Sequence, residues 1–105
     1  SYVTGEGVGT DYKKAVHWYR KAANQGNTVA QYALGLMFAD GKGVLRDLVM
    51  AYVWLELAAT DGYPPTKRWR DEIQARLNAS ELKLARKLSK LCFRKPAKCP
   101  EYSDN

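Results

Sequence analysis

A 36-residue internal repeat is the feature that most restricts how this chain of 105 residues can fold. When the sequence is shifted by 36 positions, nine residues of segment 1–26 coincide without a gap with residues of segment 37–62. Because a repeat of this length corresponds to one supersecondary unit, the sequence predicts two copies of a unit that stack on each other. The coincident pairs are Gly5 and Gly41, Gly7 and Gly43, Val8 and Val44, Asp11 and Asp47, Ala15 and Ala51, Trp18 and Trp54, Ala22 and Ala58, Ala23 and Ala59, and Gly26 and Gly62.

Each copy contains the pattern of an amphipathic helix. Asp11 and Asp47 are predicted N-caps, since a carboxylate accepts hydrogen bonds from the free N–H groups of a first helical turn. Gly26 and Gly62 are predicted helix ends, because glycine readily adopts the left-handed conformation that stops a helix. Between cap and glycine, alanine and tryptophan recur at spacings of three, four and seven residues, which places them on one helix face. These residues are Ala15, Trp18 and Ala22 in the first copy and Ala51, Trp54 and Ala58 in the second.

A second helix is predicted to follow the first after a tight turn. Thr28 and Gln31 have the spacing of a capping box, in which Gln31 reaches back to the cap. Gly35 and the neighbouring alanines are small, so the axes of packed helices can approach closely here. Residues 41–44 then form a glycine loop that leads to the next pair. The predicted apolar face consists of Ala30, Ala33, Leu34, Met37 and Phe38.

The second copy diverges after Gly62. A helix is predicted over residues 65–77, with prolines at its start, where they are tolerated. Its apolar surface is offered by Trp69, Ile73, Ala75 and Leu77. Ser80 is the predicted N-cap of a last helix, which resembles the capping helix that a stack of repeats needs. Its apolar face is Leu82, Ala85, Leu88, Leu91 and Cys92, and its basic stripe is Lys83, Arg86, Lys87, Lys90 and Arg94.

These patterns predict an all-α protein made of antiparallel helix pairs in a single domain over residues 1–105. We divide it into residues 1–10, the tail of a preceding repeat, and residues 11–46, a complete repeat. A divergent repeat over 47–79 and a capping helix with its tail over 80–105 complete the division. Tyr2 occupies the position of Phe38, so the chain is expected to open inside a unit and to be a fragment of a longer array.

The repeated residues closely resemble the Sel1-like repeat family, which is related to the tetratricopeptide repeats. The resemblance is carried by segments 5–8, 11–15, 18–23 and 30–35, together with Gly26, and it weakens after residue 62. It implies a right-handed α-solenoid whose concave face binds a partner protein or peptide. It also implies a scaffold role, and many members of the family are bacterial adaptors that are often exported.

The partner-binding residues are expected on the first helix of each pair, which lines the concave face in related superhelices. They are the positions outside the alanine and tryptophan stripe: Tyr12, His17, Arg20, Lys21, Leu48, Tyr52, Leu55 and Glu56. The alternative is an anionic polymer, a cell-wall glycan or a nucleic acid, bound by the basic stripe. Residues 63–98 hold eleven Lys and Arg against three Asp and Glu, which indicates an acidic partner surface or an anionic polymer. A solvated helix face is the simpler interpretation of the same charges. No nucleic-acid-binding motif accompanies these charges.

Cys92 and Cys99 are the only cysteines of the chain. Without a nearby histidine they cannot complete a tetrahedral zinc site. A disulfide between them would tie down the tail and would favour a periplasmic or secreted protein. Two free thiols in a cytoplasmic protein are the alternative. No apolar run is long enough to span a membrane, and no basic and apolar leader opens the chain.

No enzyme is predicted. His17 is the only histidine, and it has no carboxylate or nucleophile at a spacing that suggests general acid or base chemistry. Ser80 and Lys83 have the S-x-x-K spacing of penicillin-recognising enzymes, and Ser103 opens an S-D-N triplet, but the third motif of those enzymes is missing. We therefore predict no catalytic residue, no metal and no cofactor.

One prediction follows for the N-terminal face around Ala15, Trp18 and Tyr19. Because a helix pair cannot bury its apolar face alone, we expect this face to be covered by another repeat or by a second chain. Analytical ultracentrifugation of the chain should therefore detect self-association or a bound partner. Sedimentation as a clean monomer with nothing bound would contradict the prediction.

Overall fold

The computed structural model describes residues 8–60 and 62–94, and this part of the chain contains five helices and no strand. The predicted all-α class is therefore confirmed. The right-handed twist of the solenoid stays a prediction, and so does the domain division, whose tails lie mostly outside the described residues. The helices are α1 Val8–Asn24, α2 Thr28–Asp40, α3 Leu48–Thr60, α4 Pro64–Arg76 and α5 Ala79–Arg94.

Helix α3 lies at the centre of the molecule. It packs against α2, α4 and α5, while α1 packs against α2. A helix surrounded on several sides must be apolar around most of its circumference, and α3 has almost no polar residue between Leu48 and Thr60. Its buried residues are Met50, Ala51, Tyr52, Val53, Trp54, Leu55, Leu57 and Ala58. The alanine and tryptophan stripe read from the sequence is thus only part of its buried surface.

The two repeat tryptophans have opposite environments. Trp54 is completely buried, and the Arg20 guanidinium of α1 lies 5.1 Å from the centre of its ring. Trp18 is 59% exposed and Tyr19 is partly buried, which agrees with the open N-terminal face that we predicted. Ala15, however, is buried, so its place on that face was wrong.

The position of Ala15 follows from a rotation of the α1 core stripe. The described side chains that α1 buries are Ala15, Val16, Arg20 and Ala23. Val16, Arg20 and Ala23 have the four- and three-residue spacing of one helix face. This face is turned away from Trp18, towards α2, on which α1 packs most extensively, and towards Trp54 of α3.

The predicted cap of α3 is confirmed, and that of α1 is wrong. The Asp47 carboxylate accepts a hydrogen bond from the Met50 N–H at 3.0 Å, which is typical of an N-cap. The Asp47 N–H donates to the Phe38 carbonyl at 3.0 Å and thereby holds the cap outside the helix. Helix α1 begins at Val8, so Asp11 lies within it. The residue equivalent to Phe38 in the first copy is Tyr2, which lies outside the described residues.

The capping box predicted for α2 is replaced by two other interactions. Asn27, one residue before Thr28, is the N-cap, and its side chain accepts from the Ala30 N–H at 2.9 Å. Gln31 is buried, and its side-chain amide donates to the Ala23 carbonyl of α1 at 3.2 Å. Gln31 therefore joins two helices instead of closing its own helix, because packing turns this face of α2 towards α1.

The start of α5 is also capped two residues earlier than predicted. Asn78 and Glu81 form a reciprocal capping box, with each side chain accepting from the other residue's N–H at 2.8 and 2.9 Å. Ser80 is exposed inside the helix and is not its cap. Asparagine is as strong an N-cap as serine. Asn78, two residues before Ser80, is also supported by the return hydrogen bond to Glu81.

Helices α1 and α3 end where the glycines predict. Gly26 has a φ of 90° and Gly62 a φ of 88°, and both N–H groups donate back to the end of the preceding helix. Helix α4 begins at Pro64, one residue before the predicted start, and it buries Thr66 and Ile73. The predicted apolar surface of α4 is only partly buried, since Ala75 is exposed and Trp69 is 39% exposed.

Helix α5 buries Ala85, Ser89 and Cys92, which have the spacing of one face. Leu91 is 48% exposed, so the prediction that it faces inward was wrong. Ser89 lies on the buried face of α5 instead of Leu91, and its hydroxyl donates to the Ala85 carbonyl at 2.8 Å. The basic stripe is exposed throughout, as a capping helix requires. None of the described helices combines the length and the low charge needed to cross a membrane.

The tryptophan pair gives a prediction on stability. Trp54→Ala should lower the free energy of unfolding by about 3–5 kcal/mol, because it leaves a large cavity in the core. Trp18→Ala, the same substitution at the same repeat position, should cost less than about 1 kcal/mol. Urea unfolding followed by far-UV circular dichroism measures both. Equal losses would show that the two repeats do not differ in burial as described.

Gly35 gives a second stability prediction, in which the sign of the change in unfolding free energy is decisive. A Cβ atom at Gly35 would lie 2.7 Å from the Leu55 Cγ and 3.2 Å from the Ala51 carbonyl oxygen. Gly35→Ala should therefore destabilise by about 1–3 kcal/mol through overpacking, although alanine usually stabilises a helix interior by about 0.5–1 kcal/mol over glycine. In a double-mutant cycle, Gly35→Ala should cost less in a Leu55→Ala background. Stabilisation by Gly35→Ala alone would contradict the close contact.

Candidate functional site

A groove lies between α3, α4 and α5 and has a volume of about 520 Å³. Volumes of this order are typical of ligand-binding clefts. We call it the α3–α5 groove. Residues of all three helices line it. Its lining residues are Tyr52, Glu56, Leu57 and Thr60 of α3, Arg70 and Gln74 of α4, and Arg86, Ser89, Lys90 and Phe93 of α5.

The floor of the groove is closely packed. Tyr52, Leu57 and Ser89 are almost completely buried, so only a small part of each side chain faces the groove. The Ser89 hydroxyl is already bonded to the Ala85 carbonyl, which leaves a small and mainly apolar surface at this position. Phe93 is 56% exposed near the C-terminal end of α5. The groove therefore offers one aromatic ring that a bound molecule can cover.

Arg70 joins two walls of the groove. Its Nη1 lies 2.9 Å from the Glu56 Oε1 of α3, and its Nη2 lies 3.0 Å from the Asp71 Oδ1. Burial lowers the pKa of Arg70, but the hydrogen bonds with Asp71 and Glu56 outweigh this effect and raise the pKa above its ordinary value. The guanidinium thus stays charged, and two carboxylates balance that charge.

Arg86 and Lys90 differ from Arg70 in their surroundings. Both are exposed on α5 and line the groove, and no ion pair is found for either among residues 8–60 and 62–94. They lie four residues apart, and like charges at this spacing on a helix repel each other. An anion bound between them would remove this repulsion.

The structure divides the predicted basic stripe. Arg86 and Lys90 line the α3–α5 groove, whereas Lys83 and Lys87 do not. Lys83 and Lys87 line a second concavity of about 550 Å³ on α5, which Arg86 and Lys90 also line. Arg94 is exposed at the end of the helix and lines neither surface. Arg86 and Lys90 therefore belong to both concavities, whereas Lys83 and Lys87 belong only to the second.

The predicted partner-binding residues on α3 have different outcomes. Tyr52 and Glu56 line the groove. Leu55 is completely buried beneath Gly35, so the structure places it in the core instead of on a binding face. Leu48 is half-buried at the edge of the core. Leu55 was expected on the surface because the sequence stripe suggested only one buried side for α3, whereas α3 is covered by three helices.

The predicted residues on α1 lie apart from the groove. Arg20 is buried against Trp54, so its guanidinium supports the core. His17 and Lys21 both contact Trp18: the two rings of the His17 pair are 5.7 Å apart, and the Lys21 Nζ lies 5.2 Å from the ring centre. Tyr12 is half-buried, and the Lys42 Nζ lies 5.3 Å from its ring centre.

Several groove residues were not predicted from the sequence. Arg70 and Gln74 lie on α4, where no partner-binding residue was expected. Phe93 could have been identified as a contact residue from the sequence, since it is a large apolar residue outside the apolar stripe of α5. Arg70 and Gln74 are ordinary polar residues of a helix surface. Only the approach of α5 to α3 brings them to the rim of a groove.

The predicted disulfide joins one described cysteine to one outside the described residues. Cys92 is completely buried on α5, and Cys99 lies outside the described residues. The pairing therefore stays a prediction. Among the described residues, no cluster of histidine, cysteine and carboxylate side chains suited to a metal ion is found.

Comparison with known proteins identifies the repeat and some of its relatives. A family model for the Sel1 repeat matches residues 1–27 and 28–63, which together form more than half of the chain. Chitin synthase regulatory factor 3 of Schizosaccharomyces pombe is 40% identical over 73 residues, which cover 68% of this chain and 8% of that protein. No solved structure gives a significant match.

Two further relatives come from a bacterium and a yeast. The alginate biosynthesis protein AlgK of Azotobacter vinelandii is 38% identical over 69 residues, or 66% of this chain and 15% of that protein. A chitin synthase regulator of Saccharomyces cerevisiae is 41% identical over 49 residues, or 47% of this chain and 7% of that protein. The matched segment is therefore a small part of each relative, and the relatives do not share one kingdom of life.

Proposed function

The chain belongs to the Sel1 repeat family, and from this membership we propose that it is an adaptor module that binds a partner protein. Proteins of this family are generally regulatory or adaptor proteins and not enzymes, and their repeats mediate contacts between proteins. We place the binding surface in the α3–α5 groove, and we propose that the groove is part of the concave face that the family resemblance implies. The partner inserts a short segment or a helix edge between α3 and α5.

The composition of the groove is the observation that carries this proposal. Its floor is formed by the buried edges of Tyr52 and Leu57, and its rim by charged side chains such as Glu56 and Lys90. An apolar centre with a polar rim is the usual anatomy of a protein interface. Tyrosine and arginine, both present here, are enriched among residues that dominate binding energy.

The names of the relatives supply a context for the search for a partner. Two are regulators of chitin synthase and one is an alginate biosynthesis protein, so all three names refer to the production of a polysaccharide. We propose that the partner belongs to a machinery of this kind. A periplasmic or secreted location remains part of the proposal, and it depends on the predicted bridge between Cys92 and Cys99.

A second candidate function is the binding of an anionic polymer. The observation in its favour is the exposure of all five residues of the basic stripe along α5. A polymer bound mainly by such charges would release counterions, so its affinity would fall steeply as the salt concentration rises. Self-association through the open face at Trp18 is a further proposed contact, and it does not compete with the groove.

Site-specific photocrosslinking tests the proposed adaptor function. A photoreactive phenylalanine analogue replaces Phe93 in the groove, and in a matched variant it replaces Leu45, which is 51% exposed outside the groove. After irradiation in a lysate of the source organism, we expect a defined protein adduct from position 93 and not from position 45. Equal adducts from both positions, or none from position 93, would contradict the groove as the binding surface.

A further inference from the structure

The charges of the α3–α5 groove are unequal. Three cationic side chains, Arg70, Arg86 and Lys90, line it together with one carboxylate, that of Glu56. Arg70 already forms hydrogen-bonded ion pairs with Glu56 and Asp71, at 2.9 and 3.0 Å. The excess positive charge of the groove therefore lies on Arg86 and Lys90, both on the α5 side.

The spacing of Arg86 and Lys90 fits an extended peptide. The two residues are separated by one helical turn, which corresponds to a rise of about 6 Å along α5. In an extended chain, alternate side chains point in the same direction and are about 6.6 Å apart. Carboxylates at positions one and three of an extended segment can therefore each face one of the two cations.

Phe93 continues the same line of residues. It lies three residues after Lys90, about 4.5 Å further along the helix axis. Its ring is more than half exposed, beside the apolar floor formed by Leu57. An apolar side chain at position five of the same segment would reach this region and bury the exposed ring. Burial of apolar surface would then add affinity that charge alone does not supply.

We infer that the α3–α5 groove binds an acidic peptide segment of the form acidic-x-acidic-x-apolar, with its carboxylates on Arg86 and Lys90 and its apolar side chain on Phe93. This inference rests on the proposed adaptor function and names the chemistry of the partner. A diffuse polyanion would use Lys83 and Lys87 as readily as Arg86 and Lys90, whereas the peptide uses only the two cations that line the groove.

The test begins with selection from a displayed library of short random peptides on the folded chain. We expect the selected peptides to be enriched in Asp and Glu two positions apart, with an aromatic or aliphatic residue beyond them. The most frequent peptide is then synthesised with a fluorescent label, and its affinity is measured by anisotropy. Selected peptides without enrichment of Asp or Glu would overturn the inference, and so would a failure to select any peptide.

Charge-reversal variants provide the decisive comparison. Arg86→Glu with Lys90→Glu should weaken binding of the selected peptide by about tenfold or more, since both charges that face its carboxylates are reversed and would repel them. The matched control, Lys83→Glu with Lys87→Glu on the same helix, makes an equal change in net charge outside the groove and should weaken binding by less than about threefold. Equal weakening in the two pairs would identify diffuse attraction to a polyanion and overturn the inference.

An uncharged variant separates the apolar contact from electrostatics. Phe93→Ser leaves every charge in place and should still weaken binding by about fivefold or more, because the apolar anchor is lost. Circular dichroism confirms that each variant is folded, and Arg86→Gln with Lys90→Gln replaces the reversal if that variant unfolds. If the photoreactive analogue at position 93 crosslinks a partner but the selected peptides show no acidic pattern, the adaptor function is supported and the acidic specificity is wrong.

Discussion

The burial of α3 is the constraint on which the rest of the structure depends. Its side chains are apolar around most of its circumference, so three other helices must cover it before the chain can be stable. Trp54 lies completely inside this arrangement, with the Arg20 guanidinium against its ring. Gly35 allows α2 to approach α3 closely, because any side chain there would collide with Leu55. Each of these contacts helps to bury α3.

The groove is a consequence of how α3 is covered. Helices α4 and α5 both pack on α3, and the gap between them leaves the edges of Tyr52 and Leu57 accessible. The ion pair between Arg70 and Glu56 links α4 to α3 along this gap. Helix α5 then supplies two cations and one exposed aromatic ring. Helix α5, the predicted capping helix, is thus also the helix that gives the groove its excess positive charge.

The repeat fixes the register of the two copies but not the role of each position. Trp18 and Trp54 are equivalent, yet one is at the surface and the other is in the core. Arg20 and Glu56 are also equivalent by the 36-residue shift. Arg20 packs on a tryptophan, whereas Glu56 forms an ion pair at the rim of the groove. Neighbouring helices, and not the repeated pattern, decide which of the two roles a position takes.

Sequence alone determined the all-α class, the number and order of the helices, the glycines that end them and the cap at Asp47. These features depend on residues close together in the chain, whose conformational preferences act locally. Of the groove, it identified Tyr52, Glu56 and two cations of the basic stripe, but neither Phe93 nor the residues of α4. Only tertiary structure decided that Leu55 and Arg20 are buried and that α4 and α5 leave a groove over α3. Those outcomes depend on which helix faces meet in space, and the two faces of each contact lie far apart in the sequence.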